Sequence, residues 1–196
     1  PDRAQAIRDS VAAIDGFAVG GVGLNLAFQR ALLMHPDFAA IRHHTTGLGE
    51  MFANGWTPPK PDAQSRALAA LALHLHLAPK TGNTPWQTLS AWRLTAPAGR
   101  PGAAHYWASD DDDPTRVAGD ATQLAMVLPD GARLAVESPD LTANRLTGRI
   151  GGVPFTRAAH LRRTKDHWQV FLSTPDGMAG FAIETLEDRH LQRAAG

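Results

Sequence analysis

The chain has 196 residues, of which 43% are hydrophobic, with 19 basic and 19 acidic side chains. The hydrophobic content is typical of a globular protein of one domain plus a remainder. The zero net charge gives no basic surface for nucleic acid or anionic lipid, so we expect neither as a partner. The absence of cysteine excludes disulfides, thiol chemistry and cysteine-ligated zinc. We find no signal peptide or membrane span and expect a cytoplasmic protein.

The first 52 residues predict a helix–strand–helix unit. Asp2 can cap the first helix and Asn25 the second. The unit has few apolar positions with which to close its own core. We therefore interpret this unit as the end of a larger domain, and because the sequence starts at Pro1 rather than Met, we expect a fragment or a processed chain. Its predicted elements are a helix over 2–15, a strand over 17–22, a helix over 26–35 and a second strand over 45–52.

Residues 65–78 predict a helix that is buried on every side. The segment is rich in Ala and Leu, which favour helix, and it has no charge after Arg66. At about 3.6 residues per turn its leucines face all directions, so no side suits water. With a length of about 20 Å the helix is too short to cross a bilayer core of about 30 Å. Other parts of the protein must therefore surround it. The leucines are Leu68, Leu71, Leu73, Leu75 and Leu77.

Two segments that lack regular periodicity flank this helix. Residues 53–64 contain Pro58, Pro59 and Pro61, which indicate a linker. Residues 79–90 form a polar loop with one large apolar side chain, Trp86. Such a side chain in a loop either packs back onto its own core or anchors a partner.

The rest of the chain predicts seven to eight short strands in hairpin order. Strong turn signals separate them, such as Pro129-Asp130-Gly131 and Gly151-Gly152. Short connections make neighbouring strands antiparallel, and a sheet of this size closes into a barrel. We therefore predict an α+β fold, an antiparallel, roughly eight-stranded β-barrel around one long apolar helix. The predicted strands are 91–96, 104–108, 123–128, 132–137, 145–150, 153–163, 167–173 and 178–184.

The histidine pairs do not indicate a metal site. His43 and His44 are adjacent, and His74 and His76 point apart on a helix, so neither pair can share one ion easily. We expect a buried His74 or His76 to form a hydrogen bond with a sheet carbonyl. The acidic run 110–113 lacks the spacing of a calcium loop, and we interpret it as a solvated turn.

The residues 20–38, GGVGLNLAFQRALLMHPDF, resemble the C-terminal end of the biotin carboxylase domain in biotin-dependent carboxylases. The family pattern there is Gly-Val-x-Thr-Asn, an apolar residue, x-Phe-Leu, and then Leu-Leu-x-His-Pro-x-Phe. Leu24 stands where Thr is usual, and Gln29 where Leu is usual. The matching residues are Gly21, Val22, Asn25, Phe28, Leu32, Leu33, His35, Pro36 and Phe38.

The remainder resembles the BT domain, which lies between biotin carboxylase and the biotin carrier in acyl-CoA carboxylase α subunits. Trp86, Leu89, Trp92 and Arg93 match its Trp-x-x-Leu-x-x-Trp-Arg pattern, and the runs 152–158 and 168–171 are similar too. The resemblance implies a long helix wrapped by an eight-stranded antiparallel barrel. This agrees with the fold that the hydrophobic pattern predicts.

The resemblance also implies a non-catalytic role in subunit docking. In this family the module joins the biotin carboxylase part to the carboxyltransferase (β) subunit of a hetero-oligomer, and the loop after the helix hooks the partner. The best matching subtype is methylcrotonyl-CoA carboxylase, followed by its propionyl- and geranyl-CoA relatives. The hook-loop residues here are Thr84, Pro85, Trp86 and Leu89, and the core residues of the helix are Leu68, Leu71 and Leu75.

The resemblance assigns 1–52 to biotin carboxylase, 53–64 to a linker and 65–196 to the BT domain, with helix 65–78, hook loop 79–90 and strands within 91–184. The resemblance also implies that biotin, ATP and Mg belong to the full-length ligase. We expect this segment to be inactive, with no metal and no cofactor of its own. Ala125-Met126 is followed by Val127 rather than the lysine of a biotin attachment site.

A different class of function also fits the strands. The chain could be a small-ligand-binding barrel or a hydrolase whose open interior is lined by His105, Tyr106 and Trp107. Such a site requires an empty cavity. The positions of Leu71 and Leu75 distinguish this alternative from the docking module.

Overall fold

The structure is a computed structural model that describes residues 2–17, 19, 24–42, 44, 46–78, 103–108, 112–119 and 123–195. Its contacts divide the chain into two units. The first comprises Pro1–Pro61 with Ser173–Ala179, and the second comprises Asp62–Leu172 with Gly180–Gly196. We call them the helical unit and the barrel unit.

The described part of the helical unit contains four helices, together with the β-turn segment Ser173–Ala179. The first begins after Asp2, whose carboxylate accepts a hydrogen bond of 2.7 Å from the backbone N–H of Gln5, as an N-cap does. Asn25 does not cap the second helix as predicted; its side chain accepts from the Gln29 amide instead. The helices are α1 (Arg3–Asp15), α2 (Leu26–Met34), α3 (Pro36–Ala39) and α4 (Gly47–Met51).

The two strands predicted for this unit are not confirmed. The strand over 45–52 is wrong, because residues 47–51 form α4. Of the strand over 17–22, Phe17 and Val19 lie outside regular structure, and the other positions lie outside the described residues. Glycines at 47 and 49 favour neither state strongly, so local pattern alone could not decide this segment.

The helical unit packs loosely. None of the residues of α1, α2 and α3 is fully buried. Phe28 contacts the rings of Phe52 and Trp56, with centroids 5.2 and 5.5 Å apart. Arg30 on α2 donates to Asp15 of α1 at 2.7 Å. Arg3 of α1 also donates to the backbone carbonyl of Phe38 on α3 at 2.8 Å. The described contacts between these helices are thus mostly polar contacts and ring contacts of partly exposed side chains.

The helix α5 (Ala63–Leu77) is the core of the barrel unit. It begins after Asp62, whose side chain accepts a hydrogen bond of 2.7 Å from the backbone N–H of Ser65. Every residue from Ala67 to Leu73 is at most 3% exposed, although these residues face all directions around the helix axis. The helix contacts strands of the barrel in the first, second, fourth and sixth positions.

Eight antiparallel strands surround this helix in a closed barrel, in which each strand pairs with the next and the last with the first. Closure joins Tyr106 to Thr185 and Ala108 to Ile183. The α+β class and the closed eight-stranded barrel are therefore as predicted. The strands are β1 (Ala104–Ala108), β2 (Thr115–Gly119), β3 (Gln123–Val127), β4 (Arg133–Thr142), β5 (Arg145–Ile150), β6 (Val153–Arg163), β7 (Trp168–Thr174) and β8 (Gly177–Thr185).

Two elements differ from the prediction. The sequence pattern predicts no strand over Thr115–Gly119, which forms β2, and no helix over Leu186–Ala195, which we call α6. The predicted strand over 91–96 lies outside the described residues. The remaining strands were placed, with boundaries that differ by a few residues at most, except that β4 runs five residues beyond the predicted Glu137.

Alternate residues of each strand face α5. On β7, Val170 and Leu172 are completely buried, as the alternation predicts. The inner face is tightly packed at Gly148, where an added Cβ would lie 2.8 Å from a methyl group of Val136. The other strand residues that are at most 1% exposed are Val117, Leu124, Met126, Val136, Leu146 and Ala159.

Candidate docking site at the upper rim of the barrel

One rim of the barrel carries the end of α5. In a closed antiparallel barrel, odd-numbered strands start where even-numbered strands end. The first residue of β7, Trp168, packs edge-on against His76 near the end of α5, with centroids 5.3 Å apart. We call this end, where β1, β3, β5 and β7 start, the upper rim. Ala78 and Ala103, which flank segment 79–102, therefore lie at the upper rim.

Just below this rim, a buried polar pair joins α5 to β1. His74 Nδ1 and the Tyr106 hydroxyl share a hydrogen bond of 2.9 Å, and the two rings pack edge to face. Both residues are at most 5% exposed. The expected partner of His74 was a sheet carbonyl, and the observed one is a side chain 32 residues away. A buried hydrogen bond has a direction that apolar contacts lack.

A chain of side-chain contacts continues from α5 across the rim. The Arg163 guanidinium, at the end of β6, lies 5.5 Å from the ring centroid of Trp168. The same guanidinium donates to Asp188 Oδ1 at 2.5 Å. Because Trp168 also contacts His76, the ends of α5 and β6 and the start of α6 are connected through adjacent side chains.

Asp188 is the buried end of this chain and fixes the start of α6. Its Oδ2 accepts from the backbone N–H and the hydroxyl of Thr185, and the Thr185 hydroxyl accepts from the backbone N–H of Asp188. This reciprocal arrangement is a capping box. Burial opposes ionisation of Asp188, but the hydrogen bonds from Arg163 and Thr185 outweigh it and lower its pKa.

The outer face of β1 carries a second cluster. Arg189 of α6 lies 4.6 Å from the ring centroid of Trp107 and donates to Glu184 at 3.0 Å. His105 stacks beside Trp107, with centroids 5.9 Å apart. Since neighbours on a strand face opposite sides, only Tyr106 of the three residues in the ligand-site hypothesis faces the interior. That hypothesis is therefore wrong about His105 and Trp107.

The structure places part of the predicted site. Leu68 and Leu71 are buried inside the barrel, and Leu75 is half-buried. The helix thus occupies the space that an open ligand cavity would need. Met126, next to the position that lacks the biotin-accepting lysine, is a core residue of β3. The predicted hook residues Thr84, Pro85, Trp86 and Leu89 lie outside the described residues.

The described residues provide no assembled metal centre. No group of three or more metal-ligating side chains is found among them. His74 contacts Tyr106 on β1, whereas His76 contacts Trp168 on β7. His44 Nε2 lies 3.1 Å from Glu50 Oε2. Within the same residues, no helix has both the length and the apolar character needed to cross a membrane.

Sequence comparison finds a relative that matches part of the chain. The α chain of propionyl-CoA carboxylase from Ruegeria pomeroyi is 36% identical over 77 residues. The similarity supports the α-subunit family of biotin-dependent carboxylases. It does not single out methylcrotonyl-CoA carboxylase. The match covers 38% of this chain and 11% of the relative, so it spans a small part of that protein. No protein-family model matches the chain.

Proposed function

We propose that the barrel unit is a docking module of an acyl-CoA carboxylase α subunit. In this proposal it holds the biotin carboxylase part of the subunit against a carboxyltransferase β subunit in a hetero-oligomer. The hook loop 79–90, with Trp86 in it, makes the contact. The observation that carries the proposal is the buried helix α5, which fills the barrel and ends at the upper rim beside Ala78.

A filled barrel suits a scaffold better than a catalyst. A binding site for a small substrate needs a concave space of several hundred cubic ångströms. Here Leu71 and Leu73 are completely buried inside the barrel, where such a space would lie. The rim around the exit of α5 is held by the His76, Trp168, Arg163 and Asp188 contacts. A rigid rim lowers the entropic cost of presenting a loop to a partner.

The exposed surface of the helical unit also favours the proposal that the chain is part of a larger assembly. Several of its large apolar side chains are exposed, as expected of a surface that another part of a domain covers. In the proposal, that covering is the rest of the biotin carboxylase domain, which would bind ATP and Mg. Biotin would be attached elsewhere in the full-length subunit. The exposed side chains are Phe17, Leu24, Met34, Ile41 and Leu48.

An experiment has to decide which type of acyl-CoA carboxylase the docking module serves. The motifs favour methylcrotonyl-CoA carboxylase, while the name of the matched relative favours propionyl-CoA. We propose measuring binding of the full chain to purified β subunits of both types by surface plasmon resonance. A folded chain that binds neither β subunit would contradict the docking function.

A tryptophan substitution tests the contact residue. We expect Trp86→Ala to weaken binding by about 30-fold or more, as loss of an interface anchor does. The thermal midpoint should be unchanged, since the proposal places the side chain in the partner. The matched control is Trp56→Ala in the helical unit, which should leave binding to the β subunit intact. If Trp86→Ala instead unfolds the barrel, Trp86 is a core residue and not an anchor.

A further inference from the structure

The helix α6 presents its leucines to water and charged side chains to the barrel. An ordinary surface helix does the reverse. Asp188 is only 4% exposed, and Arg189 packs on Trp107 of the barrel wall. Leu186 and Leu191 are 43% and 61% exposed. At about 100° per residue, these two leucines lie on the side of the helix opposite to the two charged residues. The leucines of α6 thus contribute little to the packing of the barrel.

Polar contacts fix α6 in this orientation. The Asp188 carboxylate forms the capping box at the start of the helix and accepts a hydrogen bond from Arg163. Arg189 donates to Glu184 at 3.0 Å. None of these contacts includes a leucine. A first turn that is held in this way presents its outward leucines to a partner at a low entropic cost.

Exposed apolar side chains of the barrel unit gather at the upper rim. Among the described residues of this unit, four large apolar side chains are exposed, and three of them belong to α5 or α6 at that rim. The contacts that run from His76 to Asp188 join the end of α5 to the start of α6. The three side chains are Leu77, Leu186 and Leu191, and the fourth, Val153, starts β6 at the opposite rim.

The size of a stable interface indicates what covers these leucines. A specific protein–protein interface takes about 20–30 residues and about 800 Å² from each partner. The proposed hook loop, 79–90, has 12 residues and supplies about half of that number. The remaining contacts have to lie beside the loop, which follows directly on Leu77 and Ala78 at the upper rim. A partner that receives the loop therefore also reaches the exposed leucines.

We propose that α6 and Leu77 form a second contact surface for the carboxyltransferase β subunit. The β subunit then needs an apolar patch beside the site that receives the hook loop. Glu187 and His190, which are exposed between the two leucines of α6, supply the polar part of the contact. This inference rests on the proposed docking function but makes a separate claim, since a hook loop can bind without α6.

The test is a labelling experiment on single cysteines. Because the chain has no cysteine, Leu191→Cys and Val153→Cys each introduce one thiol, at exposed positions on opposite rims. The rate of maleimide labelling of this chain is measured by mass spectrometry, with and without saturating β subunit of the type that binds the unchanged chain. We expect labelling at Leu191→Cys to slow at least about tenfold, because a partner excludes solvent there. Labelling at Val153→Cys should not change.

Affinities measure the contribution of the leucines. Leu77→Gln and Leu191→Gln should each weaken binding about fivefold in surface plasmon resonance, because burial of the exposed part of a leucine is lost. Val153→Gln is the matched control and should bind as the unchanged chain does. The thermal midpoints should stay the same, since these side chains are exposed and glutamine is a good helix former.

The outcomes separate this inference from the docking function. If Trp86→Ala weakens binding while the labelling rate at Leu191→Cys and the affinities of the glutamine variants stay unchanged, the docking function stands and the role of α6 is refuted. Equal slowing at Val153→Cys also refutes it. If the unchanged chain binds no β subunit, both proposals fail. Self-association of the unchanged chain in sedimentation equilibrium that Leu191→Gln abolishes would mean that a second copy covers the leucines, which overturns the inference.

Discussion

The two units of this chain use apolar side chains in opposite ways. In the barrel unit, Leu71 and Leu73 are removed from water completely, because strands surround the helix on all sides. In the helical unit, α1, α2 and α3 contain no fully buried residue, and Met34 and Ile41 are more than half exposed. The comparison shows that closure, rather than hydrophobic content, decides how completely the apolar side chains of a unit are removed from water. Three predictions test it, in order of decreasing effect.

The largest effect is expected from removing a leucine in each unit. Leu71→Ala should lower the free energy of unfolding of the barrel by about 2–5 kcal/mol, because the closed barrel cannot collapse around the cavity. Leu33→Ala on α2 should cost less than about 1.5 kcal/mol, because the side chain is already partly in contact with solvent. Urea titration followed by hydrogen-exchange mass spectrometry resolves the two units. If both substitutions lowered the free energy of unfolding by the same amount, the contrast between the two units would be refuted.

A smaller effect is expected from the buried carboxylate at the upper rim. Asp188→Asn should destabilise the barrel unit by about 1–3 kcal/mol, because Arg163 and Thr185 lose a charged acceptor. The pKa of Asp188 is lowered in the folded chain, so its stabilisation is complete above the unfolded value of about 3.9 and is lost as pH falls through the folded value. The thermal midpoint of the variant should therefore fall less steeply than that of the unchanged chain as the pH is lowered.

The control for this variant is Asp140→Asn on β4, which replaces an exposed carboxylate. It should shift the thermal midpoint little at neutral pH. The measurement is the thermal midpoint of unfolding, monitored by circular dichroism at pH values between about 2 and 7. An acid limb in Asp188→Asn as steep as that of the unchanged chain would show that Asp188 does not stabilise the rim.

The smallest effect comes from two N-caps with the same geometry. Asp62 and Asp2 each accept a hydrogen bond of 2.7 Å from the backbone N–H three residues later. We expect Asp62→Ala to lower barrel stability by about 1 kcal/mol, the usual cost of a lost cap. Asp2→Ala should change barrel stability by less than about 0.5 kcal/mol, because it affects only the helical unit. The same urea titration measures both.

The stabilisation that the Asp62 N-cap provides should also depend on pH. Hydrogen bonds from the side chain and backbone of Ser65 lower the pKa of Asp62 despite an opposing contribution from burial. The stabilisation by the cap is therefore present at neutral pH and decreases as pH falls through the lowered pKa. Asp62→Ala should lose this dependence. A cap effect that is equal in both units would show that they unfold together.

The sequence predicted those elements whose signals are local. The hairpins around Gly131 and Gly151 follow from turn residues that need a positive φ, and both glycines adopt one. The helix α5 follows from its Ala and Leu composition. The strand β2 could not be found in this way, because TRVAG is short and becomes a strand through pairing with β1 and β3.

The candidate site was less accessible to sequence reasoning. The start of α6 did have a signal, since Thr185 and Asp188 have the spacing of a capping box. The hydrogen bond between His74 and Tyr106 had none, because its partners are 32 residues apart and meet only when the barrel closes. The hook residues, including Trp86, stay a prediction.

The order of the elements along the chain has a consequence during synthesis. The leucine-rich helix is made before the strands that enclose it, and β8, which closes the barrel, follows about 100 residues later. At about 5–20 residues per second, α5 waits roughly 5–20 s for its enclosure to be completed. During that interval its apolar surface is available to chaperones and to other nascent chains. Slow translation or a truncated message should therefore convert this protein into aggregate more readily than a protein whose core forms from neighbouring segments.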